Sequence, residues 1–426
     1  MITCPAFRGK RYAVLGLARS GLATVDALVA SGAEVTAWDT REEARAQVAG
    51  KATLADPLTI DLAGFAAIIV SPGVPLNRHP IAAAGAAAGV PVIGDIELFA
   101  QARSRLPAHK VVGITGTNGK STTTALIHHL VEVAGVPALL GGNIGLPILG
   151  QAPLAAGGVY VLELSSYQID LTFSLDCDVA VLLNITPDHL DRYDGFAGYA
   201  ASKARLFALQ SAGHVAVIAD EDAPSRAIAD GVTSRLVRVA ASQAGDQSAW
   251  PALQGPHNAQ NAAVAIAVAR ALGLSEAAIA EGLRTYPGLP HRMERVATRA
   301  GVLFVNDSKA TNATSVAPAL AAYPAVHWIL GGRAKTDELD ACAPYYDHVR
   351  AAYTIGDAGP MFADILRAAG KPVVESGTLD AAVRAAAAAA AAGEVVLLSP
   401  ACASFDQFAD YEARGEAFRT AVEALA

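Results

Sequence analysis

The sequence predicts an α/β protein of three domains in series, over residues 1–98, 99–288 and 289–426. Three observations predict it. The opening stretch RYAVLGLARSGLATVDALVASGAEVTAWDT runs strand, glycine turn, helix, strand, the order of a doubly wound unit. In the middle, VVGITGTNGKSTT (Val111 to Thr123) sets a glycine-rich turn between an apolar β-branched run and a helix-forming run. The last third repeats short apolar runs that end in polar clusters and alternate with helical stretches. A chain of 426 residues can bury two or three such cores.

Bulk properties narrow the function classes. Hydrophobic residues make up 53% of the chain, which raises the question of a membrane span. The longest uncharged stretch, Val133 to Leu162, is long enough to cross a bilayer. It is interrupted by Pro137, Pro147, Pro153 and two glycine pairs, so buried loops and strands are expected and no membrane insertion. MITCPAFRGKRY has no apolar core, so no signal peptide is expected. Cys4, Cys177, Cys342 and Cys402 lie far apart without CxxC spacing, which suits the cytoplasm and argues against zinc or disulfides. A net charge of −8 disfavours nucleic acid as a partner while leaving room for a local basic pocket.

The first domain is expected to be Rossmann-like with a degraded fingerprint. Gly16, Ala18 and Gly21 stand for G-x-G-x-x-G, and Ala18 falls where the backbone should approach a pyrophosphate. Asp39 ends the second strand, placed either to bind a ribose-like hydroxyl or to cap the next turn. AAIIVSPGVP puts Ser71, Pro72 and Gly73 just after a buried strand, where open α/β sheets bind ligands. IAAAGAAAGVPVIGD reads as a helix then a strand, and QARSRLPAHK as a linker.

The central domain is expected to be phosphate-loop ATPase-like. Gly113, Gly119, Lys120 and Ser121 are taken as the pattern G-x-x-x-x-G-K-[ST]. Glycines let backbone N–H groups close round phosphate oxygens, Lys120 offers a charge to the β- and γ-phosphates, and the Ser121 hydroxyl suits Mg²⁺. The following helix would turn its N-terminus to the anion. GGNIGLP allows close backbone approach and carries Asn143. Glu163 ends the buried run VYVLE, placed like the acid that helps hold Mg²⁺ in phosphate-loop ATPases. The turn after VAVLLN carries Asp188, His189, Asp191, Arg192 and Asp194, and a histidine among acids is a metal candidate. Lys203 and Arg205 read as solvated cations on a helix. After AVIAD a loop is expected, then a helix on which Asn258 and Asn261 share a face, Asn258 being also a candidate N-cap.

RTYPGLPHRMERV reads as a junction, with Arg292 directly after it. The third domain is expected to be Rossmann-like as well. VLFVN, VHWILGG, YTIG, KPVVE and EVVLLSP supply strands, and the alanine tract 381–392 a helix stopped by Gly393. Polar groups close three strands: Asn306 to Asn312, Gly331 to Lys335, and Ser399 to Ser404.

Together GITGTNGKST, GGNIG, LELSSYQ, TPDHLDRY, HNxxN, GLPHR, NDSKATN and LLSPACASFDQF resemble the Mur ligases across essentially the whole chain, and most closely the glutamate-adding member. The resemblance implies a monomeric cytoplasmic enzyme that uses ATP and Mg²⁺ to join UDP-N-acetylmuramoyl-L-alanine to D-glutamate through an acyl phosphate. It implies that Arg19, Ser20, Asp39, Thr40, Arg41, Ser71 and Gly73 contact the UDP-sugar precursor. Asn143 and His189 would lie at its reacting end, with His189 and Lys203 on a second Mg²⁺. Gly116, Thr117, Asn118, Gly119, Lys120, Ser121 and Thr122 would cradle the phosphates, with Ser121 and Glu163 on the first Mg²⁺. Asn258, Asn261, Arg292 and Asp307 would bind the nucleotide. Lys309, Thr311, Lys335, Ser404 and Tyr411 would form the glutamate site, Tyr411 standing where a phenylalanine is familiar. Lys120, His189, Lys203 and Lys309 are the expected catalytic set, and Lys203 is expected to be carbamylated. Closure of the third domain is expected to exclude water from the acyl phosphate. The competing readings are another Mur-type or a folylpolyglutamate-type ligase, a phosphate-loop switch protein, and an NAD-dependent oxidoreductase.

Overall fold

A computed structural model describes residues 1–425, without the His257 side chain. The chain packs into two compact units, one of residues 1–249 and 256–285, the other of residues 250–255 and 286–426. The first unit holds two sheets, and the second holds one.

The first sheet has five parallel strands, β1 (Arg11–Leu15), β2 (Glu34–Trp38), β3 (Thr53–Leu54), β4 (Phe65–Val70) and β5 (Val92–Ile93), in the order β3-β2-β1-β4-β5. The order reverses between β1 and β4, which opens a crevice at their C-terminal ends. Gly16 and Ser71 meet there, the Ser71 hydroxyl donating to the Gly16 carbonyl at 2.9 Å. Gly21 opens into the same contact, where any Cβ would strike the Gly16 carbonyl oxygen. That close approach explains why glycine survives there in a fingerprint otherwise degraded.

The second sheet has six parallel strands: β6 (His109–Thr115), β7 (Ala138–Gly142), β8 (Gly158–Glu163), β9 (Val179–Leu182), β10 (Val215–Ala219) and β11 (Arg235–Val239). Its order is β11-β10-β9-β6-β8-β7, so β6 sits between β9 and β8 with both faces covered. Its core strands are continuous apolar runs for that reason. The uncharged stretch Val133–Leu162 supplies β7, a short 3₁₀ turn and most of β8. No helix among the described residues is long and apolar enough to cross a membrane. All four cysteines are free and buried.

The third sheet comprises β12 (Glu294–Arg299), β13 (Val302–Asn306), β14 (Val326–Gly331), β15 (Val349–Ile355), β16 (Val373–Gly377) and β17 (Val395–Leu398). Its order is β12-β13-β17-β14-β15-β16, parallel except for the antiparallel pair β12–β13. Val305, Trp328 and Leu397 pack one face of it, and Phe304, Ile329 and Leu398 the other.

Four local expectations are corrected. The supposed linker is the end of a helix, Asp95–Ala102, and a 3₁₀ turn anchored by Arg103, which bonds the Asp176 carbonyl and, at 3.0 Å, the Asp178 carboxylate. The loop after β10 contains a helix, Ala223–Asp230, capped by Asp222 through the Ser225 N–H at 2.7 Å, and then β11. The junction around Arg292 runs directly into β12, an edge strand whose one-sided pairing asks for no apolar run. The alanine helix is Leu379–Ala389 and ends before Gly393.

Candidate functional site

The loop after β6 is the centre of the first unit. Gly113, expected to lead the phosphate pattern, is instead a strand residue paired with Leu162 and Ala180, and lies one position too far from Gly119. The turn starts at Gly116 (φ 150°) and closes at Gly119 (φ 82°), giving G-x-x-G-K-S. Both angles lie outside the range comfortable for other residues. The helix Lys120–Val133 begins immediately after, so its unpaired N–H groups face the loop.

Side chains from distant segments hold that loop. The Asn184 amide accepts from the Asn118 N–H at 2.9 Å and donates to the Asn118 carbonyl at 3.1 Å, while its own carbonyl accepts from the Thr117 N–H at 2.8 Å. Gln260 bonds Asn184 at 3.2 Å and Glu221 at 2.8 Å. Lys120 Nζ lies back on the loop, donating to the Gly116 and Thr117 carbonyls, each at 2.8 Å. Asn261 accepts from Thr123 at 3.2 Å and donates to Asn258 at 3.2 Å. Asn258 is therefore an interior helix residue turned to a partner one turn on, and not an N-cap. Asn184 and Gln260 were missed in the sequence because each is one polar residue whose meaning lies in its spatial neighbours.

Lys203 overturns the solvated-cation reading: it is only 1% exposed. Its Nζ donates to the Gly116 carbonyl at 2.9 Å and lies 4.6 Å from the Tyr199 ring centroid. Burial, reinforced by the Lys120 charge and opposed by Asp188 and Asp170, pushes its ammonium down to about 7. Arg205 is half-buried and donates to the Thr172 carbonyl at 3.1 Å.

Glu163 ends β8 beside Ile114 of β6. It is buried, with Oε1 accepting from the Asn143 amide at 2.9 Å and Oε2 lacking any hydrogen-bond partner. An orphaned buried carboxylate oxygen beside a phosphate-type loop fits a divalent cation. Gly142 makes the approach possible: a Cβ there would strike the Glu163 carbonyl, and its φ is 90°. Gly142→Ala is expected to destabilise the protein by roughly 2 kcal/mol or more, read by urea unfolding. His189 is half-exposed, with φ 51°, its ring 5.1 Å from that of Tyr167 and its Nε2 3.5 Å from Asp188. Among the described residues, no three His, Cys, Asp or Glu side chains form a metal cluster.

The crevice of the first sheet is tied to this region. Arg192 lies 4.1 Å from the Tyr167 ring centroid and donates to the Val74 carbonyl at 3.0 Å. Asn77 donates to the Asp191 carbonyl at 3.0 Å. The Ser71–Gly73 turn and the His189 turn are thereby joined within one unit. Asp39 accepts from the Leu17 N–H at 2.7 Å and from the Arg41 N–H at 2.9 Å. Burial opposes its ionisation, but hydrogen bonds from the Arg41 side chain and from both backbone groups hold it down to about 2. Arg19, Thr40 and Arg41 are exposed, and Ser20 is half-buried.

In the second unit the loops after β13, β14 and β17 meet. Lys309 Nζ donates to the Tyr411 hydroxyl at 3.1 Å, and Lys335 Nζ to Thr311 at 3.1 Å. Arg333 and Ala403 pair through their backbones at 2.9 and 3.0 Å. Ser404 Oγ is buried without a partner. Asp307 accepts from the Ser399 hydroxyl at 2.7 Å; burial pushes it up to about 7 against that bond and the charge of Arg292. Beneath them Arg414, unnoticed in the sequence, bonds Ser308 and the Cys402 and Ala403 carbonyls.

The MurD-like N-terminal domain of Mur ligases matches residues 10–94, the Mur ligase middle domain residues 114–254, and the Mur ligase glutamate ligase domain residues 291–402. A protein of Novosphingobium aromaticivorans named UDP-N-acetylmuramoylalanine–D-glutamate ligase is 66% identical over all of this chain and 97% of its own length. The chain belongs to the Mur ligase family. A Zymomonas mobilis Mur ligase of the same name is 61% identical, with both chains covered in full. The Mur ligase fold is shared with the solved UDP-N-acetylmuramate–alanine ligase of Thermotoga maritima, at 17% identity and TM-score 0.60 over 97% of this chain and 99% of that one.

Proposed function

We propose that this chain is an ATP-dependent ligase that adds D-glutamate to UDP-N-acetylmuramoyl-L-alanine in peptidoglycan synthesis. The observation that carries the chemistry is the Gly116–Ser121 loop beside the orphaned Glu163 oxygen. The glutamate specificity is supported by the full-length identity to D-glutamate ligases.

A carboxylate is a poor electrophile, so the amine of glutamate needs it activated. Transfer of the γ-phosphoryl group to the alanyl carboxylate breaks the β–γ phosphoanhydride, forms an acyl phosphate and leaves ADP. Lys120 and the loop N–H groups disperse the charge on the moving phosphoryl group. The amine then attacks the acyl carbon, phosphate leaves, and the amine proton is lost as the amide forms. Mg²⁺ held by Ser121 and Glu163, with a second ion at His189 and a carbamylated Lys203, would neutralise phosphate oxygens.

The precursor is assigned to the crevice of the first sheet, through Arg19, Ser20, Asp39, Thr40, Arg41, Ser71 and Gly73, with Asn143 toward its reacting end. Because the Asp39 oxygens already accept from Leu17 and Arg41, its part is to shape the turn that meets the uridine diphosphate. The nucleotide is assigned to residues 116–122 with Asn258, Asn261, Arg292 and Asp307, and glutamate to Lys309, Thr311, Lys335, Ser404 and Tyr411. Cytoplasmic residence belongs to the same reading, supported by four free thiols. So does a monomeric state, which sedimentation of the purified chain tests.

The deciding assay is ATP-dependent phosphate release with UDP-N-acetylmuramoyl-L-alanine and either D- or L-glutamate. Release that requires both the precursor and D-glutamate is expected. Release unaffected by omitting either, or equal with L-glutamate, overturns the assignment.

A further inference from the structure

Arg414 is a buried cation without an anion. It is only 1% exposed, and each of its acceptors is neutral. Nε donates to the Ser308 hydroxyl at 3.0 Å, one terminal nitrogen to the Ser308 and Cys402 carbonyls at 2.9 and 3.0 Å, and the other to the Ala403 carbonyl at 3.3 Å. Among the described residues no carboxylate stands within ion-pair distance of it. Asp406 acts on it only through space, and one Asp406 oxygen is engaged by the Asp357 N–H at 3.0 Å. Burial pushes the guanidinium down to about 10, against the influence of Cys402 and Asp406. A buried charge left unpaired is costly, so its position matters.

That position is specific. Ser308 precedes Lys309, Ala403 precedes Ser404, and Tyr411 lies one helical turn before Arg414 on the helix Tyr411–Glu423. The guanidinium thus bonds the residues just before Lys309 and Ser404, one turn from Tyr411 on its own helix, three of the residues assigned to the amino-acid substrate; the Ser404 hydroxyl is itself buried and unpartnered. Arg414 thus adds, beneath a pocket that also carries Lys309 and Lys335, a positive charge that no carboxylate pairs directly.

We infer that Arg414 is a specificity-determining residue, whose charge acts through the pocket floor to favour an amino acid with a side-chain carboxylate over its neutral amide. The inference rests on the glutamate reading above. An incoming dicarboxylate supplies the missing negative charge, whereas glutamine, of nearly the same shape, does not. A purely structural weld of the two loops to the helix would treat the two alike.

Arg414→Gln removes the charge. Ser308→Asp keeps the guanidinium in place and sets a carboxylate against Nε, cancelling the charge from within. Arg414→Lys keeps the charge and loses the fork. For each folded variant, judged by circular dichroism, the readouts are KM for D-glutamate and Ki for D-glutamine in the phosphate-release assay. Arg414→Gln and Ser308→Asp are expected to raise KM for D-glutamate roughly tenfold with Ki for D-glutamine little changed, while Arg414→Lys holds their ratio within roughly threefold. If Arg414→Gln fails to fold, Ser308→Asp and Arg414→Lys decide. An unchanged ratio in a charge-cancelled variant, or a lost ratio in the lysine variant, overturns the inference. Failure of the wild-type chain to use D-glutamate at all would instead overturn the functional reading.

Discussion

Lys120→Ala is expected to abolish ADP formation while leaving the protein folded. Lys120 Nζ donates to two loop carbonyls, those of Gly116 and Thr117. When a triphosphate enters, the same ammonium can turn from those carbonyls to the β- and γ-oxygens, a stronger, charge-assisted set of bonds. It then brings a positive charge to the transferring group, and its benefit grows as negative charge moves onto the leaving oxygen. Removing one such donor costs roughly 10³-fold in turnover. The cost in stability is small, because the residue opens the helix Lys120–Val133 and alanine is a good helix former there. Thermal unfolding should change little, by roughly 1 kcal/mol or less. The decisive readouts are phosphate release at saturating ATP and a melting curve on the same preparation. Turnover within tenfold of wild type would show that this loop does not carry the phosphoryl transfer.

The fold and the site differ in how far they could be read from sequence. The three sheets were legible because buried parallel strands must be continuous apolar runs, as in VYVLE, VAVLL and VVLL. The edge strands β11 and β12 were not, since pairing on one side leaves RLVRV and ERVATR free to be polar. The loop Gly116–Ser121 was legible because its glycines, lysine and serine are adjacent in sequence. Its leading glycine was misplaced, because Gly113 in a strand and Gly116 in a turn look alike until pairing is known. What could not be read was the support: Asn184 reaches Asn118 across 66 positions, and Arg192 reaches Val74 across 118. These side chains serve backbone groups, so nothing in their own neighbourhood marks them. The same blindness made Lys203 look like a surface cation, since an amphipathic helix shows which face is apolar but not which polar residue is enclosed.

Lys203→Ala is expected to lose activity by roughly 10²-fold or more, and to regain part of it with acetate or another short carboxylate. Lys203 is enclosed, held near the Gly116 carbonyl, and faces the charge of Lys120, so its ammonium form is disfavoured. Its ordinary value near 10.5 falls to about 7, so near neutral pH much of it is the free amine. Between those values the unfolded chain holds a proton that the native chain lacks, so this residue's penalty on stability is felt below pH 7 and is relieved as pH rises. The free amine is also the form that can attack carbon dioxide, making a carbamate and releasing a proton. Such a carbamate would be an anion beside Lys120, turning a repulsion into an attraction and offering an oxygen ligand to a cation. If Lys203 is carbamylated as proposed, truncation to alanine removes that ligand but leaves space for a small carboxylate to stand in the same place. Rescue should therefore be saturable in carboxylate concentration and absent with an ammonium compound of similar size. Labelled bicarbonate should give the wild-type chain a carbamate resonance that the variant lacks. Full activity of Lys203→Ala without any added carboxylate would reduce Lys203 to a structural prop of the loop. A variant that binds ATP normally but cannot be rescued would assign it a role as a cation, contrary to the one argued from its burial.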